Sequence, residues 1–303
     1  MRQPMNPDTQ LQAASCAPAV LVRRHQDVLF VTLNRPDTRN ALAPEVVAQL
    51  DQAVAQAALD ESVRAIVLRG NGGIFCAGGS VGSFQARLDA NTTGDDPVAA
   101  RNREFGRFMQ RVSALPVPVI VAVEGAAMGG GMGLACAADV VLATIDARFA
   151  LSETSLGIIP AQIAPWVVAR LGVQVACRLG LSGERISGET AVRLRMVDEL
   201  APDSDALDQL VAQWLTRICS CAPAANRTLK PLLRRCDDDA RDTVRDAVLD
   251  DAAALFAGCM RHEGAEGIAA FREKRPSAWS RRFTRDDVRQ ARTPQENQED
   301  NES

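Results

Sequence analysis

This chain of 303 residues contains no tyrosine, three tryptophans and two histidines, and aromatic residues make up 4% of it. No aromatic platform for stacked nucleic-acid bases is visible. The charge balance agrees: 34 basic against 38 acidic residues give a net charge of −4, no footprint for nucleic acid or an anionic membrane. No apolar run reaches the length of a membrane span. His25 and His262 lie far apart and outside every motif discussed below, and both are expected at the surface. Only Cys219 and Cys221 form a close cysteine pair, so no zinc-ligand spacing exists and no metal site is expected. The eight cysteines are expected to be small buried apolar residues in a reducing compartment. Residues 1–12 have neither the apolar core of a signal peptide nor an arginine-rich amphipathic stretch, and a cytoplasmic protein is expected.

What is present in quantity is glycine in two special places. Gly129-Gly130-Gly131-Met132-Gly133 follows the apolar segment 117–123 and opens the apolar stretch 134–138. A glycine-rich turn that starts a helix leaves backbone N–H groups pointing outward, backed by the positive end of the helix dipole. It can hold an anion, or an oxygen that becomes anionic during a reaction. About fifty residues earlier, Phe75-Cys76-Ala77-Gly78-Gly79-Ser80 repeats the arrangement between strand 65–68 and an expected short helix. Two such turns can present one N–H each to the same oxygen.

Around these turns the pattern is that of an α/β protein. Residues 20–22 and 28–33 read as a hairpin across a polar turn at 25–27. A loop of turn formers, residues 34–42, precedes a helix from Pro44 with apolar residues at 46, 47, 50, 54 and 58. Residues 86–97 read as a mobile loop before a helix ending near Leu115. Strand, strand, helix then recurs through 117–123, the helix after Gly131, and strands at 140–143 and 148–150. From about Gly172 to Trp279 the period is helical, with one strand at 196–200. Residues 1–17 and 281–303 are expected to be disordered tails. The expected organisation is therefore tail 1–17, α/β core 18–200, helical region 201–280 and tail 281–303.

Five segments in order resemble the crotonase, or enoyl-CoA hydratase/isomerase, superfamily. They are Asn34-Arg35-Pro36 with Asn40-Ala41-Leu42, Phe75–Gly79, Gly129–Gly131, Phe149–Glu153 with residues 156–160, and Glu266–Phe271 with Lys274 and Pro276. The resemblance implies a spiral of strand-strand-helix repeats followed by a helical C-terminal trimerisation region, in a homotrimer or a hexamer made of two trimers. It implies an acyl-CoA substrate and no cofactor beyond the coenzyme A that the substrate carries. The thioester oxygen would be held by the backbone N–H groups of Gly79 and Gly130, CoA by Arg39, Ala41 and Ala77, and the acyl group in a pocket that includes Gly133 and Gln162. Glu153 matches the family's proton-shuttling glutamate, and an apolar, partly closed pocket should raise its pKa.

The chain departs from the family at one telling place. Well-known hydratases carry a second glutamate on the helix after the glycine turn, and that position here is Gly133, 153 − 133 = 20 residues before Glu153. One carboxylate suffices for an isomerase that moves a double bond, and a non-catalytic acyl-CoA-binding relative is the other alternative. The preferred expectation is a hydratase of a branched thioester, the missing side chain making room at the β-carbon. Leu151–Gly157 and the Pro-Ala-Gln-Ile-Ala-Pro run at 160–165 resemble bacterial methylglutaconyl-CoA and isohexenylglutaconyl-CoA hydratases of leucine and acyclic-terpene breakdown, leaning toward the second. Arg87, Arg101 and Arg103 are candidates to hold a distal carboxylate of such a substrate.

Overall fold

The computed structural model describes residues 18–80, 96–238, 250, 253–254, 256–258 and 260–278. The expected tails, Arg87, most of the expected mobile loop, the expected short helix after Ser80 and the side chain of His262 lie outside the described residues.

The hairpin forms as the alternating pattern predicts. Strands β1 (Val20–His25) and β2 (Val28–Leu33) pair antiparallel with Val20 opposite Leu33, and Gln26 turns the chain at φ 50°. After helix α1 (Pro44–Leu59) the sheet grows by parallel strands: β3 (Ala65–Gly70), β4 (Val119–Val123), β6 (Val140–Thr144) and β9 (Glu199–Ala201), in the order β1-β2-β3-β4-β6-β9. β4 and β6 are apolar at nearly every position because both faces of the sheet are covered. Ile66, Leu68, Val121, Val123 and Val141 pack toward α1 (Val46, Leu50, Ala53) and toward Phe108 and Val112 of helix α2 (Pro97–Ala114). Ala65, Val67, Ile120, Ala122 and Leu142, the alternate residues, pack against Leu207, Leu210 and Val211. Those three belong to a C-terminal helix, Ser204–Ser220, so the helical region shares a core with the sheet.

Each repeat adds a second, short strand to a smaller sheet. β5 (Ala126–Met128) follows β4, and β7 (Arg148–Ala150) follows β6 and pairs parallel with β5. Cys76, after β3, makes a single parallel bridge to Ala127 and so occupies the equivalent place in the first repeat. Helix α3 (Gly130–Ala137) leaves β5, and helix α4 (Ala164–Ser182), broken at Gly172 (φ 74°), follows β7. This is the expected spiral: one long strand, one short strand and a helix per turn.

Three expectations need correction. The strand expected at 196–200 starts later, as β9 (Glu199–Ala201), and a further strand, β8 (Ile186–Ser187), stands before helix α5 (Gly188–Arg193). Strands this short are defined by their partners β6 and β7 and leave no periodicity in the sequence. The cysteines are not uniformly buried: Cys76 and Cys136 are, and burial pushes both thiols up to about 12, whereas Cys177 and Cys221 are exposed. His25 is exposed as expected.

Beyond α6 (Ser204–Ser220), helix α7 (Pro223–Asp238) is fastened to the core by charge: Lys230 and Arg234 both reach Asp139, at 2.6 and 3.2 Å. A π-helical turn, Met260–Gly264, leads into helix α8 (Ala265–Glu273), the last among the described residues. Among the described residues no helix is long and apolar enough to cross a membrane.

Candidate active site

The loop 34–42 is built around Asn40, which is fully buried. Its backbone adopts φ 54°, a conformation that asparagine tolerates better than most residues. The Asn40 side chain donates to the carbonyls of Asn71 and Ile74 at 2.9 and 2.7 Å and accepts from Arg35 N–H at 2.8 Å. That clamp lays the loop along the first glycine segment. Ala77 N–H donates to Arg39 O at 3.0 Å, and Leu42 N–H to Gly78 O at 2.8 Å. Arg39, Ala41 and Ala77 are thereby brought together on the wall of a cavity of about 1010 Å3.

The second glycine turn closes against the first. Gly129 takes φ 49°, and its N–H donates to Ala150 O at 2.9 Å, tying the turn to β7. A Cβ on Gly78 would lie 2.9 Å from Met128 O, and one on Gly131 would lie 2.7 Å from the Cys76 Cβ. The two turns meet backbone to backbone, a packing open only to glycine. Gly79 and Gly130 both line the cavity, and neither N–H donates to a backbone acceptor in the described loops and turns. Gly130 is the first residue of α3, where the free N–H groups and the dipole of the helix favour negative charge.

Glu153 starts a 3-10 turn, Glu153–Leu156, held by Ile158 N–H donating to Glu153 O at 3.2 Å. The side chain points inward. Glu153 lines the cavity, its Oε1 would meet a Cβ on Gly129 at 2.7 Å, and its Oε2 is enclosed with no hydrogen-bond partner. A carboxylate so deprived of water resists ionisation, and its pKa is pushed up to about 7. Near neutral pH it can both take and give a proton.

Gly133 does not lie where it was expected. It is buried within α3 and is not on the cavity wall, and a Cβ there would sit 2.3 Å from Cγ2 of Ile163. Ile163 occupies that space and itself lines the cavity, so the glycine leaves no room for a branched substrate. Gln162 is 2% exposed, lines the cavity, and rests its Oε1 where a side chain on Gly106 would be. Arg101 lines the cavity, whereas Arg103 is buried in an ion pair with Asp250 at 2.6 Å and does not. Two further arginines, Arg148 and Arg185, stand on the wall beside β7 and β8.

Sequence reasoning passed over Ile163, Asn102 and the structural part played by Asn40. Asn40 had a signal, an asparagine between loop residues of a turn-forming segment. Asn102 had only its place on an amphipathic helix. Its Oδ1 is enclosed without a hydrogen-bond partner, on the cavity wall.

A family model for enoyl-CoA hydratase/isomerase matches residues 23–282. Among solved structures, Pseudomonas aeruginosa AtuE is 42% identical with a TM-score of 0.71, over 87% of this chain and all (100%) of that one. The 2,3-dehydroadipyl-CoA hydratase of Escherichia coli is 33% identical over 84% of this chain and 96% of its own. The 1,2-epoxyphenylacetyl-CoA isomerase of the same organism is 31% identical over 84% and 96%.

Proposed function

The chain belongs to the enoyl-CoA hydratase/isomerase family, and we propose that within it this protein adds water across the double bond of an α,β-unsaturated acyl-CoA. The observation that carries the reading is the enclosed, unpartnered Oε2 of Glu153 beside the Gly129–Gly130 turn. The thioester oxygen rests between the N–H groups of Gly79 and Gly130, which stabilise the enolate-like charge that develops there. Glu153 delivers the proton to the α-carbon, its pKa of about 7 matched to that task. Arg39, with the backbone of Ala41 and Ala77, holds the CoA moiety, and Gln162 lines the acyl end. No cofactor beyond the coenzyme A of the substrate takes part.

The acyl group we propose is of the branched glutaconyl type, methylglutaconyl or isohexenylglutaconyl. Its support is the wording of residues 151–165 and the large cavity, since the space beside Gly133 is closed by Ile163. A distal carboxylate fits the cavity arginines Arg101 and Arg185, neither of which forms an ion pair among the described residues. One relative is named for 2,3-dehydroadipyl-CoA, a thioester whose chain ends in a carboxylate. A cytoplasmic homotrimer or hexamer belongs to the same proposal. The half-exposed Leu229, Leu232 and Leu233 of α7 are apolar surface that a second copy would cover.

The absence of a second carboxylate at 133 favours a rival, an isomerase that moves a double bond with Glu153 alone. Incubation of wild type and Glu153→Gln with a panel of enoyl-CoA thioesters in 18O-labelled water separates the two. Label entering the product of a branched thioester, and lost in the variant, is the expected result. A shifted double bond without label makes the protein an isomerase, and tight acyl-CoA binding without turnover makes it a binding protein.

A further inference from the structure

With no carboxylate at 133, something else must hold the water that adds. Among the described residues of the cavity wall, Oε2 of Glu153 and Oδ1 of Asn102 are enclosed with no hydrogen-bond partner. Enclosed polar atoms are nearly always bonded, and one that faces a substrate cavity without a partner is an atom waiting for a ligand.

Asn102 lies on the face of α2 that meets the reaction centre. Residues 102, 105 and 106 share that face at helical spacing. Phe105 approaches the N-terminus of α3, its ring edge 3.5 Å from where a Cβ on Gly130 would be. Gly106 receives the amide of Gln162, and Ile163 next to it fills the space at Gly133. Asn102 sits one turn before Gly106 and lines the cavity.

The chemistry of the orphan atom narrows its ligand. An amide oxygen accepts hydrogen bonds and needs a donor. An ionised distal carboxylate has no proton to give, and a hydrocarbon tail has none, whereas water does. We propose that Asn102 binds and orients the water that attacks the β-carbon, in place of the carboxylate missing at 133. Addition forms a C–O bond at the β-carbon and a C–H bond at the α-carbon, while the C=C π bond, one O–H bond of the water and the O–H bond of protonated Glu153 break. Water supplies the hydroxyl, and its other proton replaces the one that Glu153 gives up, so nothing is oxidised or reduced. Asn102 is no base: it accepts one O–H of the water and turns a lone pair toward carbon.

This inference rests on the hydratase reading, and the test keeps the two apart. Each variant, in the full chain, is assayed for 18O incorporation into a branched glutaconyl thioester. It is also assayed for deuterium exchange at the α-carbon of the saturated thioester, which needs Glu153 but no added water. Asn102→Leu is expected to lose label incorporation by roughly a hundredfold while α-exchange stays within about threefold of wild type and KM is little changed. Asn102→Asp, which keeps an acceptor oxygen, should recover most of the lost hydration. Wild-type hydration by Asn102→Leu overturns the proposal, as does a parallel fall in hydration and exchange, which would mark a merely structural residue. A wild type that exchanges its α-deuterium but never incorporates label overturns the hydratase reading itself, and this proposal with it.

Discussion

Ile163 fills the volume that a side chain at Gly133 would need, its Cγ2 2.3 Å and its Cβ 2.6 Å from the place of a Cβ. The two residues act as one packing unit between α3 and the segment leading into α4. Gly133 is therefore required by its neighbour and not free for substitution.

The first prediction concerns that unit. Gly133→Ala forces Ile163 aside and should cost about 1–3 kcal/mol of stability, as overpacking does in well-filled cores. Ile163→Ala alone opens a cavity and should cost about 2–5 kcal/mol. The double variant should lose less than the sum, because each change relieves the other. Urea unfolding of the four proteins measures the coupling, and strict additivity would show that the contact carries none. A glutamate installed at 133 on its own meets the same obstacle and should destabilise the protein without conferring activity on crotonyl-CoA.

The pH dependence of Glu153 gives the second. Its native pKa of about 7 stands above the ordinary value of 4.5, so its ionisation is disfavoured in the folded state. Stability present below pH 4.5 is lost progressively as pH rises through 7. Glu153→Gln has no such loss. Denaturant curves should make the variant more stable than wild type above pH 7, by up to about 3 kcal/mol, with the difference fading toward pH 4.5.

The same ionisation should appear in turnover. Removal of an α-proton needs the carboxylate form, so deuterium exchange from a saturated acyl-CoA should rise as pH passes about 7 and then level off. Glu153→Gln should exchange at least a hundredfold more slowly with acyl-CoA binding retained. A flat exchange profile between pH 5 and 9 would assign the proton transfer elsewhere.

Backbone donors are tested by proline. Gly130 is the first residue of α3, a position where proline is tolerated because its missing N–H has no helical acceptor. Gly130→Pro should keep the helix, with the Leu42 side chain, 2.9 Å from the new Cβ, giving way, and lower kcat by about a hundredfold, or roughly 3 kcal/mol of transition-state stabilisation. Unchanged kcat would remove Gly130 from the oxyanion site.

Asn40→Ala should be among the most damaging changes away from the cavity floor. It strips partners from the carbonyls of Asn71 and Ile74 and from Arg35 N–H, all of them partly buried. Orphaned buried groups cost about 1–3 kcal/mol each, and alanine is poorly suited to φ 54°. Thermal melts should show a large loss of stability, and KM for the CoA thioester should rise as Arg39 and Ala77 separate.

The sequence alone carried whatever depends on local chemistry. Glycine turns announce themselves because backbone approaches backbone at Gly78 and Gly131 and the chain turns at φ 49° at Gly129, which other residues permit poorly. The α/β repeat was legible because the buried strands β3, β4 and β6 are continuous apolar runs set between helical periods. Glu153 stood out by its motif, and with it the crotonase resemblance that the family match bears out. Tertiary structure decided what depends on residues far apart in the chain. That Oε2 of Glu153 is enclosed, that Ile163 closes the space at Gly133, and that Asn102 turns an unpartnered oxygen to the cavity follow from how α2, α3 and the 160–163 segment come together. Burial and filled volume belong to pairs of surfaces, and no run of single residues records which surface will arrive.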